Sequence, residues 1–162
     1  MRSVGSLIST LNAGIDRILT PLLVGLIFVL SVLLGAGVFY RYVLNDSIYW
    51  SNEVARYLLV YITFLGATLA HRRGVHVRID MLLEHLSNAN QKRLDRLIAL
   101  LFLLFWSVIL VGSWKLLPMF MMQKTATLNI PFAYPFAAVP LSAVIWILYS
   151  LDDLLRSFEV GR

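Results

Sequence analysis

The side chains best suited to chemistry are few, and most stand at the edges of apolar runs. Glu53 precedes Arg56 by three residues, so on a helix the two share a face and can pair, and Arg41 offers a second cationic partner. Asp46 lies in the preceding loop, and Asp152 and Asp153 stand at the end of the last apolar run. A carboxylate at a membrane boundary admits two readings: a structural clamp between neighbouring helices, or the proton or ion relay of a self-sufficient small exchanger using Glu53. Three histidines, His71, His76 and His85, fall in one connection, where His76 and Asp80 have the spacing of a helical contact. One histidine with one carboxylate is too small a set for zinc. Bis-histidine haem needs axial ligands on facing helices, and three of the four apolar runs contain no histidine.

No G-x-S-x-G elbow, H-E-x-x-H pair or phosphate-cradling glycine loop occurs, and cysteine is absent, so the residues supply no enzyme chemistry. No cofactor is expected. Arg72, Arg73 and Gly74 carry the charge of a nucleic-acid patch but no aromatic stacking surface, and a nucleic-acid partner is not expected.

The elements that must position these residues are set by composition. Of 162 residues, 59% are hydrophobic and 14% charged, with a mean hydropathy of +0.78. Water does not accommodate that much apolar surface on so short a chain, whereas a bilayer solvates apolar side chains on the outside of a fold. Ile18 to Tyr40 contains no charge, and its 23 residues suffice to cross a hydrocarbon layer of about 30 Å as a helix. This run is longer than a signal-peptide core and no A-x-A site follows it, so it is expected to remain as a span. Further runs cover about 51–70, 97–117 and 130–151. The expectation is one all-α membrane domain over 1–162 with four transmembrane helices.

Cationic side chains set the orientation. Arg2 and Arg17, the run Arg72, Arg73, Arg78, Lys92, Arg93 and Arg96, and Arg156 and Arg162 mark one side as cytoplasmic, with both termini on it. Tyr40, Tyr42, Tyr49, Trp50, Trp114, Phe132 and Tyr134 form an aromatic belt at the opposite ends. Between the second and third spans, Val77, Ile79, Leu82, Leu83 and Leu86 alternate with polar residues. The pattern predicts an interfacial amphipathic helix over about 77–86, beside which Arg72, Arg73 and Arg78 would contact phospholipid headgroups.

Small residues paired four apart, Ser31 with Gly35, Gly66 with Ala70 and Ala133 with Ala137, mark candidate close helix crossings. Pro131, Pro135 and Pro140 predict a helix boundary followed by a bent fourth span. The apolar segment from Leu116 to Met122 reads equally as an outer loop suited to a partner or as an extension of the third span.

The stretch WSNEVARYLLVYITFLGATLAHRRGVHVRID, Trp50 to Asp80, resembles the signature of the small membrane subunit (DctQ-like) of tripartite ATP-independent periplasmic, or TRAP, transporters. The likeness rests on Trp50, Glu53 and Arg56 opening the second span, Phe64, Leu65, Gly66 and Ala67 within it, and Arg73, Gly74, His76 and Asp80 beyond it. It continues more weakly through Thr127 to Leu141, which includes Pro131 and Pro140. The resemblance implies a bacterial inner-membrane location and two partners, a large M-type membrane subunit and a periplasmic substrate-binding protein. It further implies uptake of an organic acid, such as a dicarboxylate or sialic acid, with sodium coupling in the large subunit. The small subunit then acts as a non-catalytic scaffold that braces the large one and helps form the outer docking surface. In that role Trp50, Glu53, Arg56, Gly66, Arg73, Gly74, His76, Asp80, Pro131 and Pro140 maintain the fold and its interfaces, and none contacts substrate.

Overall fold

A computed structural model describes residues 2–72 and 88–159, with side chains over 10–72 and 90–155 apart from 92 and 95. The regular elements of the described residues are all helices: α1 (Arg2–Tyr42), α2 (Ser51–Arg72), α3 (Asn88–Met122), the short α4 (Ala133–Phe136) and α5 (Ala138–Glu159). Four helical stretches, Thr10–Tyr42, Ser51–Arg72, Arg96–Met122 and Ala133–Leu155, are long and apolar enough to cross a membrane. The expected interfacial helix at 77–86, and with it Arg73, Gly74, His76 and Asp80, lies outside the described residues.

The helices overrun the expected spans. α1 begins well before Ile18, because Asn12 and Asp16 find partners on α2 and α5 and the helix stays packed beyond its apolar stretch. It ends where Asn45 takes the left-handed conformation (φ 51°), which turns the Asp46 N–H back onto the Tyr40 carbonyl at 3.1 Å. α3 runs through Pro118 to Met122, so 116–122 is helix and not loop. The fourth span is interrupted, as its prolines predict. α4 and α5 meet at Ala137, and Pro140 falls in the first turn of α5, where a missing N–H leaves no hydrogen bond unmade. Pro131 sits just outside, in an antiparallel bridge with Lys124 that closes a turn carrying Asn129 at φ 54°.

α2 and α5 are the inner pair. α1 packs on α2, α3 packs along α5, and α2 touches α5 between them. Leu19 and Leu23 of α1 interlock with Leu65 and Leu69 of α2, with Tyr61 and Ile145 against them. On the other side Trp146, 1% exposed, stacks between Phe102 and Trp106 of α3 at centroid distances of 5.2 Å each. Ala138, Ser142 and Ala143 are fully buried, and these small residues let α5 approach its neighbours. Hydroxyls within the spans bond their own helix: Thr20 to Asp16 O, Thr63 to Leu59 O, Ser107 to Leu103 O and Ser113 to Ile109 O. Lipid offers them no other acceptor.

Gly66 does not mark a close crossing among the described residues, since a methyl group built on it meets nothing of theirs within 4 Å, and the same holds for Gly35. Spacing alone locates small residues without saying which face is covered. Gly66→Ala is therefore expected to leave the melting temperature of the isolated chain unchanged or slightly raised, given Ala's advantage in helices of about 1 kcal/mol. Thermal unfolding in detergent checks this, and a marked loss of stability would show a tight contact at that face.

Candidate functional site

Polar side chains within the spans gather at the two ends of α2. At its start, Glu53 lies in the first turn, 8% exposed, where the positive end of the helix favours a carboxylate. Its oxygens accept two hydrogen bonds, one from the Tyr57 hydroxyl and one from the backbone N–H of Thr127 at 2.7 Å. Thr127 belongs to the turn between α3 and α4, which is closed by Thr125 N–H to Ile130 O at 2.8 Å, Phe132 N–H to Gln123 O at 2.8 Å and Ile130 N–H to the Thr125 hydroxyl at 3.2 Å. Tyr61, eight residues after Glu53 on the same side of α2, donates to the Tyr134 carbonyl at 2.7 Å. Trp50 supplies the carbonyl that accepts from the N–H groups of Glu53 and Val54, both at 3.1 Å.

This differs from the expected pairing. Glu53 does not pair with Arg56 or Arg41, and the helices it joins are not the first and second: it ties α2 to the turn preceding α4. The backbone N–H of Thr127 and the Tyr57 hydroxyl satisfy the carboxylate, and Arg56 stays exposed. Of the expected residues, the structure brings together Trp50, Glu53, Arg56 and Pro131 around this end, while Gly66 and Pro140 lie elsewhere.

The opposite end of α2 holds a second cluster. The Arg72 guanidinium reaches Asp152 through Nη1 at 2.7 Å and Asp16 through Nε at 3.6 Å. Asp152, 1% exposed, also accepts from the Asn12 amide at 3.3 Å. Tyr149, fully buried, donates to Asp16 at 2.5 Å and lies under the guanidinium, 5.6 Å from ring centroid to Cζ. Next to it His71 Nε2 is 3.2 Å from Asp153 and packs on Trp146 at 4.4 Å and Phe102 at 5.4 Å. Through Arg72 and His71 all four spans meet.

The charge pattern assigns Arg72 to solvated positive flanks and lipid, and the structure corrects that for this residue. A signal was present in the helical register: Asn12 and Asp16 are four apart, as are Tyr149 and Asp153 with Asp152 between them, so each helix carries a polar stripe where apolar residues are expected.

Both clusters join helices to one another, and every polar contact just described has its partner within the chain. The family described as "Tripartite ATP-independent periplasmic transporters, DctQ component" matches residues 30–160. A TRAP transporter small permease protein named in Haemophilus influenzae is 31% identical over 100 residues, 62% of this chain and 62% of the relative. The sialic acid TRAP transporter small permease protein SiaQ of Vibrio cholerae is 26% identical over 148 residues, covering 91% of this chain and 83% of that one. The isethionate TRAP transporter permease protein DctMQ of Oleidesulfovibrio alaskensis is 22% identical over 168 aligned positions, 99% of this chain but 26% of the longer relative. The chain thus spans under two thirds of the length of the first and about a quarter of the last.

Proposed function

The chain belongs to the DctQ component family of TRAP transporters, and from that membership we propose that it is a non-catalytic membrane subunit that braces a larger transport subunit. The observation that carries this is the engagement of its intramembrane charges. Glu53 bonds Tyr57 and Thr127, and Arg72 joins Asp16 to Asp152, so these groups fasten helices together and are not presented to a translocated solute. A partner of M type is supported by the full-length likeness to one quarter of a longer permease. The long apolar faces left open on α1, with Phe28 69% exposed, and on α3, with Val108 64% exposed, suit helix packing against such a subunit.

In this reading both termini face the cytoplasm of a bacterial inner membrane and the Glu53 end faces the periplasm, beside the docking place of a substrate-binding protein. Sodium coupling and substrate recognition, for an organic acid such as a dicarboxylate or sialic acid, belong to the partners. Trp50, Glu53, Arg56 and Pro131 shape the outer end, while Arg73, Gly74, His76 and Asp80 belong to the inner connection.

Reconstitution tests it. Liposomes holding this chain alone are expected to show no organic-acid uptake and no pH-coupled flux, whereas adding the large subunit and binding protein restores sodium-dependent uptake. Flux through the chain alone, lost in Glu53→Gln, would establish the exchanger instead.

A further inference from the structure

Beside Glu53 the chain forms a half-open cavity of about 710 Å³ whose lining changes character along the axis of α2. Asn52, Arg56 and Val60 line it at successive four-residue steps of one α2 face, so the lining passes from amide to guanidinium to aliphatic over about 12 Å. Lys124 faces it from the turn after α3, and Phe132 and Phe136, four apart, supply aromatic wall. Arg56 and Lys124 are exposed, and neither makes an ion pair among the described residues. The lining holds two cations against one carboxylate, and that carboxylate, Glu53, accepts from Tyr57 and Thr127.

We propose that this cavity is a binding site for one anionic glycerophospholipid, its phosphate between Arg56 and Lys124 and the upper part of an acyl chain against Val60, Phe132 and Phe136. A guanidinium and an ammonium match phosphate oxygens, one as a planar fork and the other as a point charge. An amphiphile alone satisfies both parts of the lining, because a soluble anion leaves the aliphatic and aromatic side uncovered and a neutral acyl chain leaves two cations without a counter-charge. The site also lies at the first turns of a membrane span, the depth at which a headgroup meets hydrocarbon. The inference needs only the membrane setting and not the bracing role.

The test uses the full chain, with whatever subunits accompany it, purified in mild detergent and examined by native mass spectrometry with phosphatidylglycerol or phosphatidylcholine added. The wild type is expected to hold one phosphatidylglycerol per chain in preference to phosphatidylcholine, and excess inorganic phosphate is expected not to displace it. Arg56→Gln with Lys124→Gln is expected to weaken retention about tenfold with an unchanged melting temperature. Arg41→Gln, a loss of one positive charge at the same end but outside the cavity, is expected to bind as wild type. Equal retention by the double variant and wild type overturns the assignment, as does equal weakening in Arg41→Gln. Displacement by phosphate reduces the site to a simple anion site and overturns the acyl part. A polypeptide segment of an accompanying protein cross-linking to Arg56 and Lys124, with no lipid retained, makes the cavity a protein interface and also overturns it.

Discussion

Replacing Arg72 with glutamine is expected to destabilise the chain by about 3 kcal/mol or more, the largest effect of any single polar substitution described above. The guanidinium contacts carboxylates on two other helices, Asp16 of α1 and Asp152 of α5, and Asp152 is almost wholly enclosed. Glutamine leaves both carboxylates in place without their counter-ion, and the cost is the desolvation of an uncompensated charge more than the loss of one attraction. Lysine is expected to give partial rescue, since an ammonium keeps the charge but lacks the fork that spans two carboxylates. Asp152→Asn in the Arg72→Gln background is expected to recover part of the loss, and such coupling distinguishes charge compensation from packing. Thermal unfolding in detergent of the wild type and these three variants measures it. A glutamine variant as stable as wild type would mean that Arg72 serves lipid or solvent and not this junction.

Much of the architecture is written in local pattern. Apolar runs of 20 or so residues locate four spans because the bilayer fixes the length a helix needs, and Pro131, Pro135 and Pro140 foretell the interruption at Ala137 because a missing N–H has only local consequences. What stays hidden is contact across the chain. Asn12 and Asp152 are 140 residues apart, and no spacing rule connects them. Arg72 misleads for a different reason: a cation at the end of a span already has an explanation in membrane orientation, so nothing in the sequence demands a buried partner. Glu53 is legible as a residue of consequence and only partly legible in its bonding: Tyr57, four residues on, is a helical neighbour, but its other partner is a backbone N–H, which every non-proline residue carries and no sequence pattern advertises.

Glu53→Ala is expected to loosen the turn between α3 and α4 while leaving the Arg72 cluster intact. Thr127 loses the acceptor for its N–H, and Tyr57 loses its hydroxyl partner, yet α2 keeps the Tyr61 bond to Tyr134. Hydrogen exchange at the Thr127 amide is expected to quicken about tenfold or more, with exchange around Tyr149 unchanged. Glu53→Gln, whose amide oxygen still accepts from Thr127, is expected to lie between alanine and wild type. The two locks stand 19 residues apart on α2, about 28 Å along the axis, which is close to the thickness of the hydrocarbon layer. Each lock therefore holds its charges near a boundary, where they cost less than at the bilayer centre, and together they fix both ends of one helix against its neighbours. The proposed bracing role predicts a particular transport phenotype in the assembled system: Glu53→Ala lowers the uptake rate as the Glu53 end loosens and leaves the substrate concentration for half-maximal uptake unaltered. If Glu53→Gln instead abolishes uptake while exchange at Thr127 stays as slow as in wild type, the carboxylate takes part in transport itself and the bracing role fails.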